Sequence, residues 1–213
     1  TAKPVQLWGN PVREYSTGFG VAVMAREAWR ELFKGDLTGV RVSIHGFGNT
    51  GQWAAYWADK FGAKVVAVAD TLGTIYDPNG LSVAKAIKAK NETGKVISYE
   101  GARRLAPQDA LTVDADILMP SAIEDTITES NAANVKAKLI VEGANGPTTP
   151  QAEEVLTRKG TIIVPDILAN AGGVIMSYLE WVENLQWFIW DEEETRRRLE
   201  SILVGNFKRV INK

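Results

Sequence analysis

Three glycines in the pattern Gly46-x-Gly48-x-x-Gly51 are the residues whose spacing points most directly to chemistry. A β-rich run precedes them and a helical pattern follows. In such a unit the first glycine permits a tight turn out of the strand, the second lets a pyrophosphate approach bare backbone, and the third lets the helix pack closely on the sheet. Amide groups at the start of the helix attract the phosphates. We therefore predict a phosphate-binding loop with the sequence Gly46-Phe47-Gly48-Asn49-Thr50-Gly51.

An acidic residue stands where the adenosine ribose of such a nucleotide would lie. Asp70 comes 24 residues after Gly46, at the end of the second apolar run, and an acid at about this spacing commonly receives the ribose hydroxyls. Because its charge would repel a 2′-phosphate, Asp70 favours NAD, although neighbouring hydroxyl and lysine side chains leave NADP possible. Two alternatives stay open here: glycines that serve packing alone, and a binding site for S-adenosylmethionine.

The elements that must hold these residues alternate between short apolar strands and helices. The apolar runs predict strands over residues 40–44, 64–69, 116–119, 139–142 and 161–164. Helical periodicity predicts helices over residues 20–34, 52–61, 82–91, 126–135 and 150–158, and again from residue 174 to the end with a break near residue 191. Strands that are apolar on both faces are typical of a parallel sheet. We predict an α/β chain with a Rossmann-like, doubly wound, mostly parallel sheet flanked by helices.

The composition narrows the range of partners. The chain has no cysteine and one histidine, which excludes disulfides, thiolate metal sites and multi-histidine metal sites, so we expect no metal. A net charge of −2 gives no reason to expect nucleic acid as a partner. Charged residues interrupt every long apolar run, so we expect no membrane span. The absence of cysteine fits a cytoplasmic protein.

Three further segments give the chain a close resemblance to hexameric glutamate dehydrogenases, of the glutamate, leucine, phenylalanine and valine dehydrogenase family. The resemblance covers essentially the whole chain, with these segments and the glycine loop in the same order. The segments are Arg13-Glu14-Tyr15-Ser16-Thr17-Gly18-Phe19-Gly20-Val21, Glu142-Gly143-Ala144-Asn145-Gly146-Pro147-Thr148-Thr149-Pro150, and Asn170-Ala171-Gly172-Gly173-Val174-Ile175-Met176-Ser177-Tyr178-Leu179-Glu180-Trp181.

The resemblance implies a role for individual residues. Asn145 and Asn170 are similar to residues that bind the nicotinamide end of the cofactor, and Thr17 is similar to a threonine that contacts its carboxamide. Ser121 and Ala122 resemble the loop over which the cofactor passes, although the family usually has two alanines there. Ser177 resembles the serine that reaches the side-chain carboxylate of glutamate. Each of these segments, taken singly, is also compatible with a plain turn, a helix cap or a back-bonded helical serine.

The same resemblance implies which reaction is served and what this chain lacks. The family transfers a hydride from L-glutamate to a nicotinamide cofactor and releases 2-oxoglutarate and ammonia. Its catalytic lysine and aspartate belong to an N-terminal domain whose patterns do not occur here. We therefore expect residues 1–213 to be one dinucleotide-binding domain, with residues 171–213 as its C-terminal helices, and to bind cofactor without turnover.

The resemblance also bears on assembly. The full enzyme would be a homo-hexamer, and this chain alone a monomer or weak dimer. The alternative is a nucleotide-binding module without redox chemistry.

Overall fold

The computed structural model describes residues 1–212 and shows seven strands in one sheet. The strands are β1 (Arg41–His45), β2 (Lys64–Asp70), β3 (Gly73–Tyr76), β4 (Arg103–Leu105), β5 (Ile117–Pro120), β6 (Leu139–Val141) and β7 (Ile162–Val164). The helices are α1 (Ser16–Phe33), α2 (Asn49–Lys60), α3 (Val83–Thr93), α4 (Glu129–Ala132), α5 (Pro150–Arg158), α6 (Asp166–Ala169), α7 (Gly172–Gln186) and α8 (Glu192–Ile211). Short 3₁₀ helices cover Val5–Leu7, Pro11–Glu14, Val96–Ser98 and Pro107–Leu111.

The strand order β4-β3-β2-β1-β5-β6-β7 creates a switch point beside β1. Strand β1 pairs in parallel with β2 on one side and with β5 on the other, and β6 and β7 continue the parallel arrangement. His45 is paired with Pro120, so the turns after β1 and β5 begin side by side. In open α/β sheets, ligands bind outside the carboxyl ends of the strands at such a point. The predicted mostly parallel, Rossmann-like sheet is confirmed.

The core lies on both faces of the sheet because the central strands are buried on both faces. In β5, Ile117 and Met119 join a cluster with residues of α1, α2, α7 and α8, whereas Leu118 joins a second cluster with α5 residues such as Leu156. Successive side chains of a strand point to opposite faces, which explains this division. Helix α1 packs against α2, α7 and α8 and so links the phosphate loop to the C-terminal helices.

Two antiparallel strands extend the sheet where the sequence predicted none. Strand β3 turns back on β2 immediately after Asp70, and β4 pairs with β3. They contain four and three residues, and β4 carries two exposed arginines, so neither shows a periodicity that would reveal it. Helix boundaries also shift: α1 begins at Ser16, four residues before the predicted start, and the predicted helix over residues 126–135 is reduced to α4.

Candidate cofactor-binding site

The glycine loop joins β1 to α2 in a conformation that uses each glycine differently. Gly46 has a φ of +99°, and a Cβ there would come within 2.5 Å of the Ala122 amide nitrogen. A Cβ on Gly51 would overlap the Gly46 carbonyl oxygen, whereas a Cβ on Gly48 would meet nothing within 4 Å. Gly46 and Gly51 are therefore required by the fold, and Gly48 leaves open space in front of the loop.

The amides of the loop divide between the sheet and the open space. Those of Gly46 and Phe47 both donate to the Ala69 carbonyl oxygen, at 3.0 and 2.7 Å, and the Phe47 side chain is buried. Helix α2 starts immediately afterwards with Gly48 as its N-cap and no side-chain cap. The uncapped first turn of α2 is consequently the part of the loop that can bind an anion, as a helix N-terminus does.

One cavity, of about 740 Å³, opens between the ends of β1 and β2 and the turn after β5. Three sequence-predicted elements line it: the glycine loop at Gly46 to Gly48, Asp70 and the pair Ser121–Ala122. Lys90 of α3 also lines it, and nothing in its sequence position had indicated this. This is the end of the site at which an adenosine ribose would lie.

Asp70 lies in this cavity but its carboxylate already has several partners. Lys90 Nζ donates to Oδ2 at 2.8 Å, the Val96 amide donates to Oδ2 at 2.7 Å, and the Leu72 amide donates to Oδ1 at 2.9 Å. Burial alone would raise the pKa of Asp70, but these hydrogen bonds outweigh it and hold the pKa below its ordinary value. The Asp70 side chain is 5% exposed and that of Lys90 is 22% exposed, so Lys90 is the more accessible member of the pair, although its Nζ also donates to the Gly94 carbonyl oxygen at 2.9 Å.

A second cavity, of about 550 Å³, continues from the same turn towards α1 and the Asn145 loop. It gathers the residues predicted for the nicotinamide end, Thr17, Asn145 and Asn170, together with Thr50 of the glycine loop and the pair Ser121–Ala122. Asn170 Nδ2 donates to Asn145 Oδ1 at 2.7 Å, so the two asparagines from separate motifs are in direct contact. Ser121 and Ala122 line both cavities, which therefore lie side by side.

Two acidic residues fix the loops that carry these asparagines. Asp166 Oδ2 accepts from the Gly146 amide at 2.8 Å, and Glu142 Oε2 accepts from the Asp166 amide at 3.0 Å. Burial raises the pKa of Glu142. Asn145 and Asn170 are thus held together by backbone anchors rather than by their own contact alone.

Two predicted residues lie apart from these cavities. The Asn49 side chain turns away and donates to the Glu14 carbonyl oxygen at 2.9 Å, which leaves only its backbone at the start of α2. Ser177 Oγ donates to the Gly173 carbonyl oxygen at 3.1 Å, one turn earlier in α7, and accepts from Arg13 Nη1. The structure therefore pairs Ser177 with a guanidinium, and the role of Ser177 towards the glutamate carboxylate stays a prediction.

The part of the chain that the structure describes shows no group of three or more histidine, aspartate or glutamate side chains that could hold a metal ion. Within residues 1–212, no helix is both long and apolar enough to cross a membrane.

Comparison with known proteins gives the chain a family. The model of the family described as Glutamate/Leucine/Phenylalanine/Valine dehydrogenase matches residues 9–213. The chain is 56% identical over 215 residues to the NADP(+)-dependent glutamate dehydrogenase of Pyrobaculum calidifontis, covering 99% of this chain and 51% of that protein. It is 48% identical over 212 residues to the glutamate dehydrogenase of Thermotoga maritima, with 99% and 51% covered.

Solved structures agree with this result. The hetero-hexameric glutamate dehydrogenase of Thermus thermophilus in its leucine-bound form superposes with a TM-score of 0.88 at 37% identity, over 96% of this chain and 48% of that one. The glutamate dehydrogenase of Peptoniphilus asaccharolyticus superposes with a TM-score of 0.85 at 33% identity, over 100% of this chain and 49% of that one. The chain spans about half the length of these relatives. It belongs to the glutamate, leucine, phenylalanine and valine dehydrogenase family.

Proposed function

We propose that this chain binds a nicotinamide dinucleotide along the carboxyl edge of its sheet, as the cofactor-binding part of a glutamate dehydrogenase. The observation that carries the proposal is the pair of adjacent cavities, which share Ser121 and Ala122 as lining residues. The relatives at 56% and 48% identity bear the name glutamate dehydrogenase, which supports L-glutamate and 2-oxoglutarate as the substrate pair.

Each part of this site suits one part of the dinucleotide. The uncapped first turn of α2, beside the open space at Gly48, suits the pyrophosphate. The cavity with Asp70 and Lys90 suits the adenosine, and the cavity with Thr17, Asn145 and Asn170 offers donors and acceptors to the carboxamide. When bound, the nicotinamide ring would supply the acceptor for a hydride from the substrate α-carbon. The chain's own task is to orient that ring.

The surroundings of Asp70 bear on the choice between NAD and NADP. Its carboxylate accepts three hydrogen bonds and is nearly inaccessible, so it is poorly placed to repel a 2′-phosphate or to receive both ribose hydroxyls. The ammonium of the more exposed Lys90 side chain is a suitable phosphate ligand. The relative at 56% identity is named NADP(+)-dependent and another at 46% is named NADP-specific. We therefore propose that NADP binds at least as tightly as NAD, a revision of the preference that the sequence suggested.

Turnover requires more than the residues gathered here. We propose that this chain binds cofactor without oxidising glutamate. The proposal is supported by the family resemblance, which implies that the proton-transfer lysine belongs to the other half of the full enzyme. The hexameric assembly of the full enzyme is part of the same proposal.

Calorimetric titration of the 213-residue chain with NADP and with NAD tests this proposal directly. We expect saturable binding of both, with NADP equal or tighter, and no glutamate-dependent formation of reduced cofactor. Absence of binding by either cofactor would contradict the proposal, and turnover of glutamate by this chain would contradict its second part.

A further inference from the structure

His45 is the residue immediately before the phosphate loop, and neither the motif nor the proposed function uses its side chain. It ends β1 on the same face as Ser43, whose hydroxyl donates to the Ala110 carbonyl oxygen at 2.6 Å. That face is covered by the 3₁₀ helix Pro107–Leu111. His45 accordingly lines the cavity that also contains Asp70 and Lys90.

The imidazole is buried and incompletely satisfied. His45 is 7% exposed, and within residues 1–212 its Nδ1 atom has no hydrogen-bond partner. Burial lowers the pKa of His45 below its ordinary value, so the ring is neutral at neutral pH. A neutral imidazole has one N–H donor and one acceptor nitrogen. Nδ1 is enclosed by the protein, so a ligand in the cavity would meet the imidazole at its more accessible Nε2 edge.

The rest of this cavity wall fits a planar, polar-edged ring. Gln108 contributes a carboxamide with a donor and an acceptor, and Pro107 and Ile123 contribute apolar surface. Adenine carries an amino donor adjacent to acceptor ring nitrogens, which matches a neutral imidazole better than a phosphate would. The cationic Lys90 in the same cavity is the better phosphate ligand.

We propose that His45 is a specificity residue for the adenine base, to which it supplies a hydrogen bond from its neutral imidazole. This inference rests on the proposed dinucleotide function. It assigns the base to the end of the cavity nearest β1 and the 3₁₀ helix Pro107–Leu111, and it leaves the ribose end to Asp70 and Lys90.

Nuclear magnetic resonance offers a test that needs no variant, because His45 is the only histidine in the chain. With ¹⁵N-labelled histidine, the single imidazole gives one pair of nitrogen resonances. Titration with AMP should shift them by the amount typical of a new hydrogen bond, whereas titration with NMN, which lacks the adenine, should leave them in place. If the imidazole resonances did not shift at saturating AMP, the proposal would be overturned.

Two variants provide the quantitative test. His45→Phe keeps a flat ring without polar atoms. We expect it to weaken AMP binding about fivefold, the equivalent of one neutral hydrogen bond, and to leave NMN binding unchanged. His45→Gln keeps a donor and an acceptor and should restore most of the AMP affinity. Without ligand, His45→Phe should unfold at the same or a higher temperature than the parent, because the unpaired nitrogen is gone.

The outcomes separate this inference from the proposed function. A parent chain that binds AMP and NMN while His45→Phe binds AMP equally well would refute the role of His45 alone. Equal losses for AMP and NMN, or a lower unfolding temperature of His45→Phe without ligand, would show a structural role and also refute it. A parent chain that binds neither the fragments nor the dinucleotide would refute the proposed function itself.

Discussion

Replacement of Gly48 by valine should separate cofactor binding from folding. Gly48 has a φ of −83°, which any residue can adopt, and a Cβ there would meet nothing within 4 Å. Loss of glycine at an N-cap costs up to about 1 kcal/mol, and the lower entropy of the unfolded chain offsets about 0.4–1 kcal/mol of it. We expect the unfolding free energy of Gly48→Val to stay within about 1 kcal/mol of the parent value.

Binding should respond far more strongly to the same substitution. The isopropyl group would occupy the approach to the first turn of α2 and keep a pyrophosphate away from its amides. Loss of two charge-assisted hydrogen bonds, at about 1.5–3 kcal/mol each, corresponds to a Kd that rises at least about a hundredfold. Calorimetry with NADP measures this change, and thermal unfolding without ligand measures stability.

Gly51→Ala serves as the matched control, since its added methyl group would overlap the Gly46 carbonyl oxygen. We expect it to lose about 1–3 kcal/mol of stability as an overpacked site, so that it weakens binding and folding together. If Gly48→Val bound NADP with unchanged affinity, the phosphates would not lie at the start of α2 and the reasoning would fail.

Two further substitutions test other parts of the site, and a third tests a buried acid of α7 outside it. Lys90→Met keeps the aliphatic stem but not the charge. Parallel titrations should show NADP binding weakened about tenfold and NAD binding little changed, whereas an equal loss of affinity for both would contradict the proposed contact with the 2′-phosphate. Asn170→Ala removes the donor to Asn145 and should weaken NMN binding severalfold without affecting AMP binding. Unchanged NMN binding would mean that the nicotinamide does not lie at these asparagines. Burial raises the pKa of Glu183 above its ordinary value of 4.5, so the folded chain binds this proton more tightly than the unfolded chain does. The stability that this proton provides is lost as pH rises from 4.5 through the folded pKa. In Glu183→Gln the unfolding temperature should no longer show this dependence on pH. If the dependence were unaltered, another titrating group would be its cause.

The phosphate loop was predictable from sequence because its requirements are local. A tight turn and a close helix contact demand glycines at fixed intervals, and the structure shows both demands at Gly46 and Gly51. The strand after the loop is a nearly continuous apolar run, and its burial on both faces was predictable for that reason.

The partners of Asp70 were not predictable in this way. Lys90 lies 20 residues further on, in a helix whose sequence gives no reason to prefer one of its lysines over another. The contact arises because β3 turns back on β2 and the chain then returns through α3, and β3 was itself too short to predict. The pairing of Arg13 with Ser177 likewise joins residues 164 positions apart. Such contacts depend on tertiary structure, and spacing along the chain carries no signal of them.

The turn after β5 makes the two ends of the site interdependent. Ser121 and Ala122 form a wall of both cavities, and the Ala122 backbone lies against Gly46, where only a glycine leaves enough room. Ser121, in place of the alanine that the family usually has, is accommodated because Gly143 has no side chain where the Ser121 hydroxyl lies. A displacement of this turn would therefore move the phosphate loop and the Asn145 loop together. Under the proposed function a dinucleotide would span both cavities, and one shared wall would position its adenosine and nicotinamide halves.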